Sequence, residues 1–226
     1  MLFVKPDYWI IVDDFASSSA HTYQQIWQGT YDVRNASTAL QTIAEARLVV
    51  MQGETEGVRC TPHRLHDTES IWFERAPASA WKYVTLIAPS PAGAPLAATI
   101  HPEVGVACAA YVVHRADAKD HFVVGRGDPW AVGSTTSDAR VAAWTMEGRT
   151  QRAVLVLNMC EWKSATFSLH SSKPISVEAV SGKEGRWTFR RAGGMADSVR
   201  VRGDGGVERT LDFSLGDEQT LSLEER

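Results

Sequence analysis

The sequence predicts an all-β fold, an antiparallel β-sandwich with little or no helix. Three features support this prediction. Apolar and polar residues alternate with a period of two, short apolar runs recur along the chain, and glycine-rich turns separate them. Strands that bury one face alternate in this way, whereas strands covered on both faces are apolar throughout. Many short strands separated by turn signals are typical of sandwiches and barrels.

The strands can be assigned in chain order. Continuous apolar runs predict inner strands at Trp81–Pro89, His121–Gly125 and Arg152–Met159. Farther along, alternation predicts half-buried strands, whose inward residues are Ile175, Val177 and Ala179; Trp187 and Phe189; Val199 and Val201; Leu211, Phe213 and Leu215; and Leu221 and Leu223. Glycine-containing turns at Gly148, Gly182, 203–206 and Gly216 separate them.

The stretch from Asp7 to Trp27 predicts a hairpin: an apolar strand, a serine-rich turn and an aromatic strand. Asp13 and Asp14 close the first strand, and His21 opens the second. Adjacent strand residues point to opposite faces, so with Ile11 facing the core, Asp13 lies inside and Asp14 in solvent. A buried carboxylate must be paired, hydrogen-bonded or bound to a metal.

Two segments leave alternatives open. In "STALQTIAEARLV", Ser37 suits a helix N-cap, and Leu40, Ile43 and Ala44 share a helical face, but Thr38 and Thr42 suit a strand or loop equally well. The Pro- and Ala-rich segment Ala88–Thr99 could mark a domain boundary. Because similar strands lie on both sides of it, we interpret it as a loop within a single domain spanning residues 1–226.

Composition restricts the partners. The net charge of -4 and pI of about 6.0 argue against a nucleic-acid ligand. No run approaches the roughly 18 apolar residues of a membrane helix, so no membrane partner is predicted. The cysteines form neither a zinc-type pair nor a disulfide framework and are expected to be buried free thiols: Cys60, Cys108 and Cys160.

Short motifs supply weaker candidates. No phosphate-binding glycine loop occurs, and "GRGDP" at 125–129 is interpreted as a turn. His63 and His66 have the spacing of a zinc pair, but no third ligand follows and Arg64 would repel a cation. A further polar cluster is interpreted as a charged hairpin tip rather than a site: His114, Asp117, Asp120 and His121.

Three stretches together resemble heparinase II/III-type polysaccharide lyases. They are "YWIIVDDF" with the following "HTYQQIW", "WKYVTLIAPSP", and "STTSDARVAAWTMEGRTQRAVLVLNM". The resemblance covers much of Tyr8–Leu169 and rests on the order and spacing of loose motifs. It implies a supersandwich-like C-terminal β-sandwich that would normally follow a helical toroid.

The resemblance implies a function for the whole enzyme rather than for this chain alone. Such lyases cleave acidic polysaccharides by β-elimination, in which a base removes the proton beside the uronic carboxylate. Most of that machinery lies in the toroid, and this sequence shows no long helical portion. We therefore expect a piece of a longer protein, inactive by itself, with no catalytic residue of its own. The compartment stays open, because any export signal would lie upstream.

The resemblance also implies a structural zinc ion. Asp13 occupies a position like that of the family's aspartate ligand, and His21 is the nearby histidine. One histidine ligand would come from an upstream strand, and Trp27-Gln28 stands where another often lies. Gln28 could instead hydrogen-bond Asp13.

Two other functions are consistent with the sequence. The first is a stand-alone carbohydrate-binding sandwich whose exposed Trp and Tyr side chains stack on sugar rings, although Trp9, Trp81 and Trp187 are expected in the core. The second is a structural β-domain without a ligand, docking on a partner chain through an apolar face or a free sheet edge.

Overall fold

The computed structural model describes residues 2–4, 7–182 and 185–223 of the chain. Its strands are β1 (Leu2–Val4), β2 (Tyr8–Gln28), β3 (Asp32–Asn35), β4 (Thr38–Ile43), β5 (Ala46–Gln52), β6 (Val58–Leu65), β7 (Thr68–Pro91), β8 (Ala98–Glu103), β9 (Gly105–Val106), β10 (Ala109–Arg115), β11 (Lys119–Val124), β12 (Trp130–Val132), β13 (Thr135–Ser137), β14 (Val141–Glu147), β15 (Thr150–Lys163), β16 (Phe167–Ser181), β17 (Arg186–Gly194), β18 (Ser198–Gly203), β19 (Glu208–Asp212) and β20 (Glu218–Ser222).

The predicted all-β antiparallel fold is confirmed. None of the described residues lies in an α-helix, and the sheets are antiparallel. Across the same residues, no helix has the length and apolarity that a membrane crossing requires.

The chain forms two compact units. Unit 1 comprises residues 1–101 and 114–116, and unit 2 comprises residues 102–113 and 117–226. The chain first passes from unit 1 to unit 2 at His101–Pro102, just after the Pro- and Ala-rich segment Ala88–Thr99. Each unit has its own core of buried apolar side chains.

Unit 1 is built on the pairing of two long strands, β2 and β7. They run antiparallel from the pair Trp9–Ile87 to the pair Gln28–Ser70, with the register shifting on both sides of His21. Atoms of Asp13 and Gln25, 12 residues apart on β2, come within 2.6 Å. A straight strand would separate these residues by roughly 40 Å. The β2–β7 ribbon is therefore folded back on itself.

The predicted hairpin at Asp7–Trp27 is wrong. The serine-rich segment is a bend within β2, and the two halves of that strand pair with β7 rather than with each other. A hairpin turn of this kind usually contains Gly, Asn or Asp at residues with positive φ, and none of these occurs in Ser17–Ala20. Bulges let a strand bend without ending it.

Folding the ribbon makes two layers. The N-terminal half of β2, the C-terminal half of β7, and β5, β4 and β3 form one layer, with β1 at its edge. The C-terminal half of β2, the N-terminal half of β7 and β6 form the other. Between them lies a core of buried side chains: Ala39, Val50, Val58, Ile71, Phe73 and Tyr83.

The segment 37–49, for which a helix was one of the predicted alternatives, lies in a β-hairpin. Thr38–Ile43 and Ala46–Gln52 pair as β4 and β5, from Ile43–Ala46 to Thr38–Met51. Ala44, counted among the helical residues, lies in the turn with φ 52°. Thr38, Ala39 and Leu40 are all buried, because β4 packs in a sheet instead of presenting one helical stripe.

Unit 2 is built on a larger sheet. Its main strand order within the unit is β19-β18-β16-β15-β14-β11-β10, and β9, β12, β13, β17 and β20 pair off this path. The inward residues predicted for its C-terminal strands include several that are buried: Ile175, Val177, Ala179, Trp187, Phe189, Val199, Val201, Leu211, Phe213 and Leu223. Leu215, expected on the inner face, is instead 86% exposed, because β19 ends at Asp212.

Tyr83 links the two layers of unit 1. Its buried hydroxyl lies 2.8 Å from the Tyr23 carbonyl oxygen and 3.0 Å from that of Phe73, so its proton is donated to the opposite layer. Burial, followed by the charge of Glu74, raises the pKa of Tyr83 to about 12, while Arg75 acts in the opposite direction.

We expect Tyr83 to make unit 1 sensitive to alkali. In the unfolded chain a tyrosine titrates near pH 10, so between about pH 10 and pH 12 the native state holds more protons than the unfolded state. Stability should fall through this window, by at most about 1.4 kcal/mol per pH unit, and be fully retained below it. Urea unfolding at a series of pH values should show a shallower decline for Tyr83→Phe. Equal declines in the two proteins would contradict this role.

Candidate functional site

Asp13, the predicted metal ligand, is half-buried in unit 1 and bonded to an amide. Gln25 Nε2 donates to Asp13 Oδ2 over 2.6 Å. The other end of that amide, Gln25 Oε1, lies 2.9 Å from Trp27 Nε1, 2.7 Å from Gln52 Nε2 and 3.0 Å from Thr85 Oγ1. The aspartate therefore ends a network that joins the two layers.

The orientation of both glutamine amides in this network follows from Trp27. An indole N–H can only donate, so the Gln25 atom beside it must be the oxygen and the nitrogen must face Asp13. The Gln52 atom facing Gln25 Oε1 must then be a nitrogen. Its oxygen lies 3.1 Å from Thr85 Oγ1, whose single proton can be donated to this oxygen or to Gln25 Oε1. Hydrogen bonds are thus donated from Gln52 to Gln25 and from Gln25 to the Asp13 carboxylate.

His21 does not join Asp13. It is exposed in the bend of β2, opposite Ala78, and its Nε2 lies 3.0 Å from Ser19 Oγ. Within the described ranges, no group of three or more His, Cys, Asp or Glu side chains is arranged to hold a metal. Because Asp13 is bonded to Gln25 and His21 lies elsewhere, the residues present do not fit the implied zinc site.

The predicted bond from Gln28 to Asp13 is wrong, and Gln25 makes it instead. The two glutamines lie an odd number of residues apart, so they face opposite sides of the sheet, and Gln28 is exposed. Gln52 and Thr85 come from distant parts of the chain and carry no local signal. Asp14 is exposed as predicted, and it pairs with Lys82 Nζ at 2.9 Å.

The other histidine candidates are also separated from one another. His63 is on β6 and its ring stacks on Trp72, whereas His66 lies in the turn before β7 with φ 55°. The predicted hairpin tip is present between β10 and β11. Two of its members are not solvated, however: Asp120 is buried and His121 is half-buried.

The cysteines are free and half-buried. Burial raises the pKa of the Cys60 thiol to about 11. Burial also raises the pKa of Cys108, with help from Glu103, and that of Cys160, with help from Asp138 and Glu161. All three sulfurs are therefore protonated at neutral pH, which does not suit a nucleophile.

An open groove of ≈ 210 Å³ lies where three turns of unit 2 meet. The turns are 133–134, 148–149 and 164–166, and they connect the strand pairs β12–β13, β14–β15 and β15–β16. The side chains that give it chemical character are Glu103, His121, Trp144, Arg149, Gln151 and Ser164. Loops held by a rigid sheet commonly carry binding residues.

The wall of this groove is an aromatic pair. His121 and Trp144 are directly opposite each other on β11 and β14. Their rings are stacked with centroids 4.8 Å apart and an interplanar angle of 7°. His121 Nδ1 lies 2.7 Å from Glu103 Oε2, which fixes the imidazole in place. Trp144 is buried, so the flat surface that lines the groove belongs mainly to His121, which is paired with the Glu103 carboxylate.

Polar groups also line the groove. Ser164 Oγ donates to Gln151 Oε1 over 2.9 Å, which leaves the two amide protons of Gln151 for another acceptor. Arg149 forms no ion pair with any residue that the structure describes. A cation, an amide donor and a flat ring pair can together hold a ligand with a ring and a negative charge. No sequence motif predicts this set, because only strand register brings its members together.

No family model matches the chain, and no curated protein matches it in sequence. The resemblance to heparinase II/III-type lyases therefore stays a prediction.

We expect the amide network to tolerate loss of charge better than loss of the amide. Gln25→Leu leaves Asp13, Trp27 and Gln52 without their partner and should lower the free energy of unfolding by about 2–4 kcal/mol. Asp13→Asn keeps an oxygen for Gln25 Nε2 and should cost less than about 1 kcal/mol. Urea unfolding measures both variants. Equal losses would show that charge, rather than hydrogen bonding, matters at Asp13.

We expect metal chelation to leave unit 1 unchanged. The hydrogen bonds of Asp13 and His21 need no ion, so dialysis against a chelator should not shift the thermal unfolding midpoint. Metal analysis of the purified protein provides the second readout, with Asp13→Ala as the control. A midpoint that falls after chelation, returns with zinc, and does neither in Asp13→Ala would restore the zinc prediction.

Proposed function

We propose that this chain is the β-sheet part of a heparinase II/III-type lyase, and that it contacts an acidic polysaccharide through the unit 2 groove. The observation that carries the proposal is the combination of Arg149, Gln151 and the His121–Trp144 ring pair around one groove. The all-β fold and the resemblance between Tyr8 and Leu169 support the same function. The catalytic toroid would be supplied by another part of the protein.

The groove suits a uronate better than a neutral sugar. A sugar ring packs its C–H face against flat aromatic surface, which the partly exposed His121 ring, stacked on the buried Trp144, provides. A uronic carboxylate accepts hydrogen bonds from a guanidinium and an amide, which Arg149 and Gln151 provide. Glu103 is engaged by His121, so its charge is directed at the imidazole and not at the ligand.

This proposal assigns the chain binding and not bond cleavage. β-Elimination needs a base beside the acidic carbon and groups that stabilise the negative charge developing on the carboxylate. In the lyase arrangement these groups belong mainly to the toroid. The β-sheet part then holds the polysaccharide in register while the toroid performs the chemistry.

Binding of a uronate hexasaccharide to the isolated chain tests this proposal. Calorimetric titration at low salt should show affinity that falls about tenfold in Arg149→Ala, because one charge-assisted hydrogen-bonding group is lost. Added salt should weaken binding to the wild-type protein as the attraction is screened.

Arg152→Ala is the matched control. Arg152 lies on the same β14–β15 hairpin, pairs with Glu147 at 2.8 Å and does not line the groove. This variant should bind like the wild-type protein. Equal effects of the two substitutions, or no binding by the wild-type chain, would overturn the proposed function.

A further inference from the structure

The outer face of the second layer of unit 1 carries a regular grid of side chains. Strands β6, β7 and β2 lie side by side there, and residues directly opposite one another point to the same side. Three rows of three result: Arg59, Glu74 and Gln24; Thr61, Trp72 and Ile26; and His63, Ser70 and Gln28. We call this grid the Trp72 face.

The centre of the Trp72 face is aromatic and apolar. Trp72 is half-buried, and the His63 ring stacks on it with centroids 4.0 Å apart and an interplanar angle of 21°. Ile26, directly opposite Trp72, is 51% exposed. An apolar side chain this exposed beside an aromatic pair provides a surface for a ligand.

The side chains of this face are held in place before any ligand arrives. Trp72 Nε1 donates to Ser70 Oγ over 3.1 Å. Gln24 Nε2 donates to Glu74 Oε2 over 2.8 Å. His63 is held by stacking. Exposed side chains usually lose rotamer freedom on binding, and here part of that entropy is already lost.

The charges on the face cancel. Arg59 lies directly opposite Glu74, and the remaining polar members are neutral amides and hydroxyls with one imidazole. Such a surface gives no advantage to an acidic ligand. It offers donors and acceptors on both sides of an aromatic centre, which matches the hydroxyl rim and C–H faces of a pyranose.

We propose that the Trp72 face is a second polysaccharide-binding surface, which recognises pyranose rings by stacking and does not require a carboxylate. The inference rests on the proposed function only in that both sites take a polysaccharide. The sugar rings pack against Trp72, His63 and Ile26, and their hydroxyls bond to Gln24, Glu74 and Gln28. His63 and His66 were considered above as a zinc pair. In this proposal His63 instead serves as the aromatic partner of Trp72.

The two sites differ in their expected response to salt. Binding at the groove depends on the Arg149 charge and is screened by added salt. Stacking at the Trp72 face buries apolar surface and is not weakened by salt. A neutral glucose hexasaccharide therefore reports on the Trp72 face, and a uronate hexasaccharide reports on both sites.

Calorimetric titration of the full chain with each hexasaccharide, at low and high salt, tests the inference. Trp72→Ala should reduce affinity for the neutral hexasaccharide about tenfold at both salt concentrations. Ile26→Thr removes an exposed apolar contact without opening the core, and it should reduce this affinity severalfold. Thermal unfolding of each variant verifies that it is folded.

Ile43→Ala is the matched control, because Ile43 is 63% exposed in the same unit and lies outside the Trp72 face. It should bind like the wild-type protein. Neutral-sugar affinity that is equal in Trp72→Ala, Ile26→Thr and Ile43→Ala overturns the inference, as does the absence of neutral-sugar binding in the wild-type chain.

Failure of one proposal is distinguishable from failure of the other. Uronate binding that is lost in Arg149→Ala, combined with neutral-sugar binding that is unchanged in Trp72→Ala and Ile26→Thr, overturns the Trp72 face and supports the groove. Neutral-sugar binding that depends on Trp72, combined with uronate binding insensitive to Arg149, supports the Trp72 face and overturns the groove. A wild-type chain that binds neither hexasaccharide overturns both.

Discussion

The pairing of β2 with β7 is the constraint on which unit 1 depends. Together these strands form one long antiparallel ribbon, and its fold at the serine-rich segment creates both layers and the core between them. A straight ribbon would leave Phe73 and Tyr83 with no opposite layer to pack against. The bulges beside His21 allow the bend while the ladder continues on both sides. Strands β5 and β6 then extend the two layers from opposite halves of β7.

Hydrogen bonds between the layers make this folded arrangement specific. Apolar packing alone would tolerate sliding of one layer over the other. The Gln25 amide allows little sliding, because Trp27, Gln52 and Asp13 must each meet the correct end of it. Tyr83 adds a second connection by donating to the backbone of the opposite layer. Buried polar groups are costly when unpaired, so a network of this kind favours one register over its neighbours.

The same principle of register creates both candidate sites. In unit 2, β11 and β14 place His121 directly on Trp144. In unit 1, three strands place Ile26, Trp72 and Thr61 in one row. Neither set is recognisable as a motif, because its members are separated by long stretches of chain. The two surfaces nevertheless differ in chemistry. One combines a ring pair with an arginine that has no ion pair among the described residues, and the other combines an aromatic centre with balanced charges. In the proposed polysaccharide complex, the groove would respond to carboxylates and the Trp72 face to sugar shape.

The sequence by itself determined the antiparallel all-β class and most of the inward-facing residues, because the period-two alternation reflects burial directly. It also separated Asp13 from Asp14, since neighbours on a strand face opposite sides. It failed at Asp7–Trp27, where local composition cannot distinguish a turn from a bend in a continuous strand. It also named Gln28 where Gln25 bonds Asp13. Only tertiary structure decided these points, because the partner of each half of β2 lies on β7, more than forty residues along the chain. The division into two compact units and the composition of both candidate sites were likewise decided by long-range pairing, for which a single sequence carries no local signal.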